Sequence, residues 1–151
     1  MSISLRNEDC ECILEHEDPC KGGSLYIPIE YVSLNSSRTG KEYEDLMYVY
    51  LKKTNGKMNE FELSLFSQEL ESVNPSLLYP TQYDVEADAV QRYARNLEAS
   101  KINDPLLAAR FDNSNYTYIM DGHHRFVAHM IVSGRSAVSC LLSVFSRNLV
   151  A

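Results

Sequence analysis

The sequence has no tryptophan, six glycines and five prolines among 151 residues, and fewer basic than acidic side chains. Glycine and proline this sparse exclude collagen-like and low-complexity chains. Without tryptophan, a core has to be built from Leu, Val and Ile with ten Tyr and five Phe. The 14 Lys and Arg stand against 21 Asp and Glu, a net charge of −7. Non-specific nucleic-acid binding needs clustered cations to displace counterions, so no duplex DNA partner is expected. No apolar run reaches the roughly 18 to 20 residues of a membrane span, so no membrane partner is expected either. The acidic stretch Met1 to Asp18 lacks the apolar centre of a signal peptide. The expected location is cytoplasmic, with non-classical export as an effector left open. Cysteines number four, Cys10, Cys12, Cys20 and Cys140, and reduced thiols are the expectation without a signal sequence. Cys10, Cys12, His16 and Cys20 carry zinc-ligand atoms, but the one-residue gap between the first two is a poor metal spacing, and metal binding there is left open. Cys140, between Val138 and Leu141, reads as a small buried hydrophobe.

What is present is a globular balance, 44% apolar and 23% charged, in a length that suits one domain with an appendage. Composition shifts near Glu71 to Pro75, which divides the chain into an N-terminal strand and helical addition, residues 1–72, and a core, residues 73–151. In the first part, Gly22-Gly23 is a turn and Ser24 to Ile29 a short edge strand marked by Pro28. Tyr43, Leu46, Met47, Tyr50 and Leu51 recur at helical spacing, predicting a helix over Lys41 to Lys53 that Asn55-Gly56 stops. The tyrosines there suit core packing better than base stacking. Phe61, Leu63, Leu65, Phe66 and Leu70 predict a second helix. In the core, Ser76 to Tyr79 is extended, and Asp84 is the expected N-cap of a helix running to Ala99. Pro105 to Ala109 and Tyr116 to Met120 form a hairpin across the polar turn Asp112 to Asn115. Phe126, Val127, Met130 and Ile131 face one side of a helix closed by Ser133-Gly134, and Ala137 to Phe145 is a final buried strand. The fold class is α+β, a small mixed sheet packed with helices.

Asp121-Gly122-His123-His124-Arg125 falls between a strand end and a helix start. A helix N-terminus offers unpaired N–H groups and about half a positive charge. Gly122 lets the backbone approach an anion, and His123, His124 and Arg125 add donors, the arginine with a phosphate-matching fork. The bland interpretation is a helix start in solvent, yet cations there oppose the helix dipole, an opposition that an anionic partner removes. Adjacent histidines make a poor zinc pair, with no His-Glu-x-x-His or Cys-x-x-Cys pattern to complete a site. Asp121 instead suits a Mg²⁺ that accompanies a nucleotide.

Several segments together resemble the ParB/sulfiredoxin superfamily. These are Leu77-Leu78-Tyr79-Pro80-Thr81-Gln82, the helix from Asp84, Asn103-Asp104-Pro105-Leu106-Leu107-Ala108, and Tyr118 through Asp121-Gly122-His123-His124-Arg125 to Ala128, spanning about Val73 to Val144. The resemblance implies a ParB/sulfiredoxin-like core that binds ATP, ADP or CTP phosphates at the helix after Gly-x-x-Arg, here Gly122 and Arg125. His123 stands where sulfiredoxins have a catalytic Cys, which weighs against sulfinic acid reduction. ParB partition proteins continue into a helix-turn-helix domain that has no counterpart before Ala151. The turn is most similar to the Asp-Gly-His-His-Arg of free serine kinases. Their proposed base, a Glu, falls by alignment at Gln82 in Pro80-Thr81-Gln82, and Gln cannot take a proton.

The expectation is therefore an enzyme that hydrolyses a Mg-nucleotide or transfers its phosphoryl group to an unknown acceptor. Asp121, His123 and Gln82 would be catalytic; Gly122, His123, His124, Arg125 and Thr81 would bind phosphate; Asp121 would hold the metal. One alternative is a non-catalytic, nucleotide-responsive module whose residues 1–72 contact a protein partner. Another is a ParB-like nuclease or toxin-like effector, against which the acidic charge weighs.

Overall fold

A computed structural model describes residues 25–37 and 39–150 of the chain. Cys10, Cys12, His16, Cys20 and the Gly22-Gly23 turn lie outside the described residues. The elements in order are β1 (Tyr26–Pro28), α1 (Lys41–Thr54), α2 (Glu60–Leu63), β2 (Phe66–Val73), β3 (Leu78–Tyr79), β4 (Asp84–Glu86), α3 (Ala87–Glu98), β5 (Leu106–Phe111), β6 (Thr117–Asp121), α4 (His123–Ser133) and β7 (Val138–Phe145). Five strands form one mixed sheet in the order β2-β7-β5-β6-β3, while β1 and β4 make a separate antiparallel pair. The β5–β6 hairpin is antiparallel, and β5 also lies parallel to β7. The α+β class follows from this arrangement.

Strand alternation sorts the core into two layers. Leu106, Ala108, Ile119, Cys140 and Leu142 face α3 and α4 and pack with Val90, Ala94, Phe126 and Val127. Ala109, Phe111, Tyr118 and Phe145 point the other way, onto Leu46 and Val49 of α1. The N-terminal helix α1 thus covers the second face of the sheet. Its Tyr43 and Tyr50 pack into that layer, with Tyr43 6.0 Å from Tyr118 ring to ring, whereas Tyr48 is exposed. Cys140 is fully buried, and burial pushes its thiol up to about 12.

Two sequence expectations are corrected. The second predicted helix is a single turn, Glu60–Leu63, held by a capping box between Asn59 and Glu62. From Phe66 the chain becomes β2 and pairs with β7 over eight residues, Phe66↔Phe145 to Val73↔Val138. Phe66 and Leu70 fit both helical and alternating spacing, and the long ladder with β7 decides the conformation. Asp84 is likewise not the N-cap of α3, because Asp84–Glu86 pairs with Pro28–Tyr26 and the helix starts at Ala87 after Glu86. The N-terminal segment also bonds both ends of this strand: Ile29 N–H donates to Tyr83 O, and Ala87 N–H donates to Leu25 O.

Candidate functional site

β6 ends at Asp121, and Gly122 turns the chain into α4 with φ +101°. That angle lies in the region open to glycine at little cost. The first intrahelical bond is Phe126 N–H to Gly122 O, so the amides of His123, His124 and Arg125 have no intrahelical acceptor. No side chain caps this end, and no acidic residue sits in its first turn. α4 also packs on α3 and on β4, the strand that leads into α3.

Arg125 lies beneath the turn. A Cβ on Gly122 would come within 2.7 Å of Arg125 Nη2 and 2.9 Å of Leu106 Cδ2, so the missing side chain makes room for the guanidinium. The arginine side chain is only 15% exposed, yet its partners are long-range. Nη2 donates to Pro105 O at 3.3 Å and stands 3.8 Å from Asp121 Oδ2, whose side chain is 70% exposed. The Tyr93 ring centroid is 5.9 Å away, and Nε is buried without a hydrogen-bond partner. A buried guanidinium with so few close acceptors is an under-compensated charge.

His123 turns inward, 4% exposed, and its Nε2 accepts the Thr81 N–H at 3.0 Å. The Thr81 hydroxyl donates its one hydrogen to Ile119 O at 2.7 Å. The ring is therefore the tautomer with its proton on Nδ1, and it latches the 80–82 segment to the turn. Burial above all, with the neighbouring His124, pushes its pKa down to about 4. His124 is also held below the usual histidine range, first by burial and then by Arg92 and Arg125 against the opposing pull of Glu86 and Asp121. Both rings are neutral at pH 7, so the positive character anticipated from His-His-Arg resides in Arg125 and the helix end. His123, expected among the catalytic groups, has its acceptor nitrogen engaged by the Thr81 N–H.

Charging of His123 links stability to pH. In the unfolded chain the imidazole protonates near 6.5, but in the folded protein only near 4. Its contribution is complete above pH 6.5 and is lost as pH falls towards 4, up to about 3 kcal/mol. Urea unfolding at pH 7 and pH 4.5 checks this against His123→Gln, whose amide oxygen can still accept from Thr81. The wild type should lose more stability than the variant; equal losses would remove this role for His123.

Thr81 and Asp121 are brought to the turn as expected residues, but Gln82 is not. Its Nε2 donates to Asp84 O at 2.7 Å, and its own carbonyl accepts from Ser37 Oγ at 2.7 Å. The sequence reading omitted Arg92 and Tyr93 on α3, and Tyr50 on α1, whose hydroxyl pKa is raised by burial and then by the charge of Asp121. No periodic signal places α1 beside β6, so Tyr50 had no sequence marker. Among the described residues no three His, Cys, Asp or Glu side chains converge as a metal cluster. No described helix is long and apolar enough to cross a membrane.

No protein-family model and no curated protein matches the sequence. Among solved structures, the sulfiredoxin of Arabidopsis thaliana is similar with a TM-score of 0.45 and 14% identity, over 54% of this chain and 92% of that one. This is a likeness of architecture over part of the chain, and it transfers no activity.

Proposed function

We propose that this chain is an enzyme that binds a nucleotide with Mg²⁺ and hydrolyses it or transfers its phosphoryl group to an acceptor. The observation that carries this is the under-compensated Arg125 guanidinium beneath three unpaired first-turn amides. A phosphate there would take hydrogen bonds from the amides of His123, His124 and Arg125 and neutralise the arginine. Gly122 keeps the approach free of a Cβ. His123 and Thr81 fix the wall opposite, and His124 remains a neutral donor at the rim. Asp121 is exposed and offers one carboxylate, which suits a Mg²⁺ held jointly by protein and phosphate oxygens rather than by a protein cage. Bound there, the ion would offset charge on the phosphates. Phosphoryl transfer is chiefly positioning and charge stabilisation, so this small set suffices without covalent catalysis. The nucleotide is ATP or ADP, with CTP as the alternative.

One observation favours a second reading, a nucleotide-responsive module without turnover. His123 has its acceptor nitrogen occupied and Gln82 is engaged with Asp84, so two of the three expected catalytic groups are not poised to act on a nucleophile. A thermal-shift series with ATP, ADP and CTP, with and without Mg²⁺, followed by turnover of radiolabelled nucleotide, separates these. A ligand at a hundred times its Kd should add about 2.7 kcal/mol of stability. Stabilisation with slow Mg²⁺-dependent turnover is the expected result. Stabilisation without turnover supports the module, and no stabilisation by any nucleotide overturns both.

A further inference from the structure

Arg125 has a second side. A cleft of about 210 Å³ opens there, between the end of α3, the 101–104 segment, α4 and the start of β7. Its walls include Leu106, Lys101, Asp104, Arg125, His129 and Ser139. Three of these can carry positive charge and one negative, in a chain whose net charge is −7. His129 follows Arg125 by four residues and so shares its helix face. Its Nε2 lies 2.8 Å from Ser136 O, a carbonyl that can only accept, so Nε2 carries a proton and the ring is held in place.

We propose that this cleft is an oxyanion subsite, in which Arg125, Lys101 and His129 receive a carboxylate or phosphate group of a small ligand. Two independent observations meet here. The cleft supplies room beside a largely buried guanidinium, and that guanidinium has only distant partners, Pro105 O at 3.3 Å and Asp121 Oδ2 at 3.8 Å. An isolated buried cation is costly, and an oxyanion in the cleft removes the cost. Leu106 and the neighbouring apolar wall lower the local dielectric, which strengthens a charge pair formed there. Asp104 disfavours ligands of high negative charge, so a single oxyanion group fits the balance of charges. The proposal shares Arg125 with the nucleotide reading but does not need a nucleotide to be the ligand.

The test uses the full chain and two probes, inorganic phosphate and acetate, each titrated at constant ionic strength and followed by NMR. Lys101→Ala removes an exposed side chain, and His129→Gln keeps a donor for Ser136 O, so both variants should melt like the wild type. A hydrogen bond to a charged group corresponds to about a tenfold change in affinity or more. At least one probe should therefore bind the wild type saturably and each variant about tenfold more weakly; the stronger probe identifies the group. Binding unaffected by both substitutions, or no saturable binding of either probe, overturns the subsite. Mg-ATP run in parallel separates the two proposals. If small anions bind with this dependence while Mg-ATP does not bind, the nucleotide reading fails and the subsite stands. If Mg-ATP binds all three proteins alike and neither small anion depends on Lys101 or His129, the subsite fails and the nucleotide reading stands.

Discussion

Arg125→Ala should lower nucleotide affinity by about 2 to 5 kcal/mol, roughly thirtyfold to several thousandfold, while the protein still folds. The expected loss is large because the guanidinium is mostly buried and directly under the proposed phosphate position. The effect on folding should be small because opposing changes offset. Alanine forfeits the Tyr93 contact and the long bond to Pro105 O, but it also removes a buried charge with an orphaned Nε. Calorimetry with Mg-ATP measures the first effect, and a thermal melt followed by circular dichroism measures the second. Wild-type affinity in the variant would detach Arg125 from the ligand altogether.

Gly122→Ala should destabilise the fold by about 2 to 4 kcal/mol and impair binding as well. Holding a non-glycine residue at φ +101° costs on the order of 1 to 3 kcal/mol. The new Cβ would in addition stand 2.9 Å from Leu106 Cδ2, a side chain only 1% exposed, and 2.7 Å from Arg125 Nη2. The arginine can swing away, but it then leaves the position from which it would meet phosphate. Gly56→Ala is the control, since Gly56 also has positive φ but nothing within 4 Å of its missing Cβ. That variant should lose only the conformational part, about 1 to 2 kcal/mol. Urea unfolding of both variants gives the comparison, and equal losses would show that the space under Gly122 is unimportant.

The turn is legible in the sequence because its features are local. A strand ending at Asp121, a glycine, and an apolar helical stripe from Phe126 specify β6, the break and α4 within a few residues. Gly134, at φ +60°, closes α4 where the sequence pattern places its end. The β5–β6 hairpin and α1 are local in the same sense. β2 and β4 are not legible, because each is a strand only through a distant partner, β7 for the first and β1 for the second. The site divides along the same line. Asp121, Gly122 and Arg125 fall within five consecutive residues and are visible, and Arg125 and His129 share a face by simple helical arithmetic. The Thr81–His123 latch joins residues 42 apart, and the diversion of Gln82 depends on Ser37 and on the backbone of its own loop. His123 reads in the sequence as a cationic anion-binding donor, whereas its burial keeps it neutral down to about pH 4.

The central claim is that phosphate oxygens meet the first turn of α4, and amide NMR of the ¹⁵N-labelled full chain tests it most directly. On titration with Mg-ATP, and separately with Mg-CTP, the largest shifts should fall on the amides of His123, His124 and Arg125. These are the donors left without intrahelical partners. Thr81, hydrogen-bonded to His123, should move with them, while amides of α1 far from Asp121 should stay in place. Saturating shifts centred on residues 121–125 are the predicted result. Unchanged amides in that turn at saturating nucleotide, or shifts concentrated elsewhere in the fold, would contradict the account.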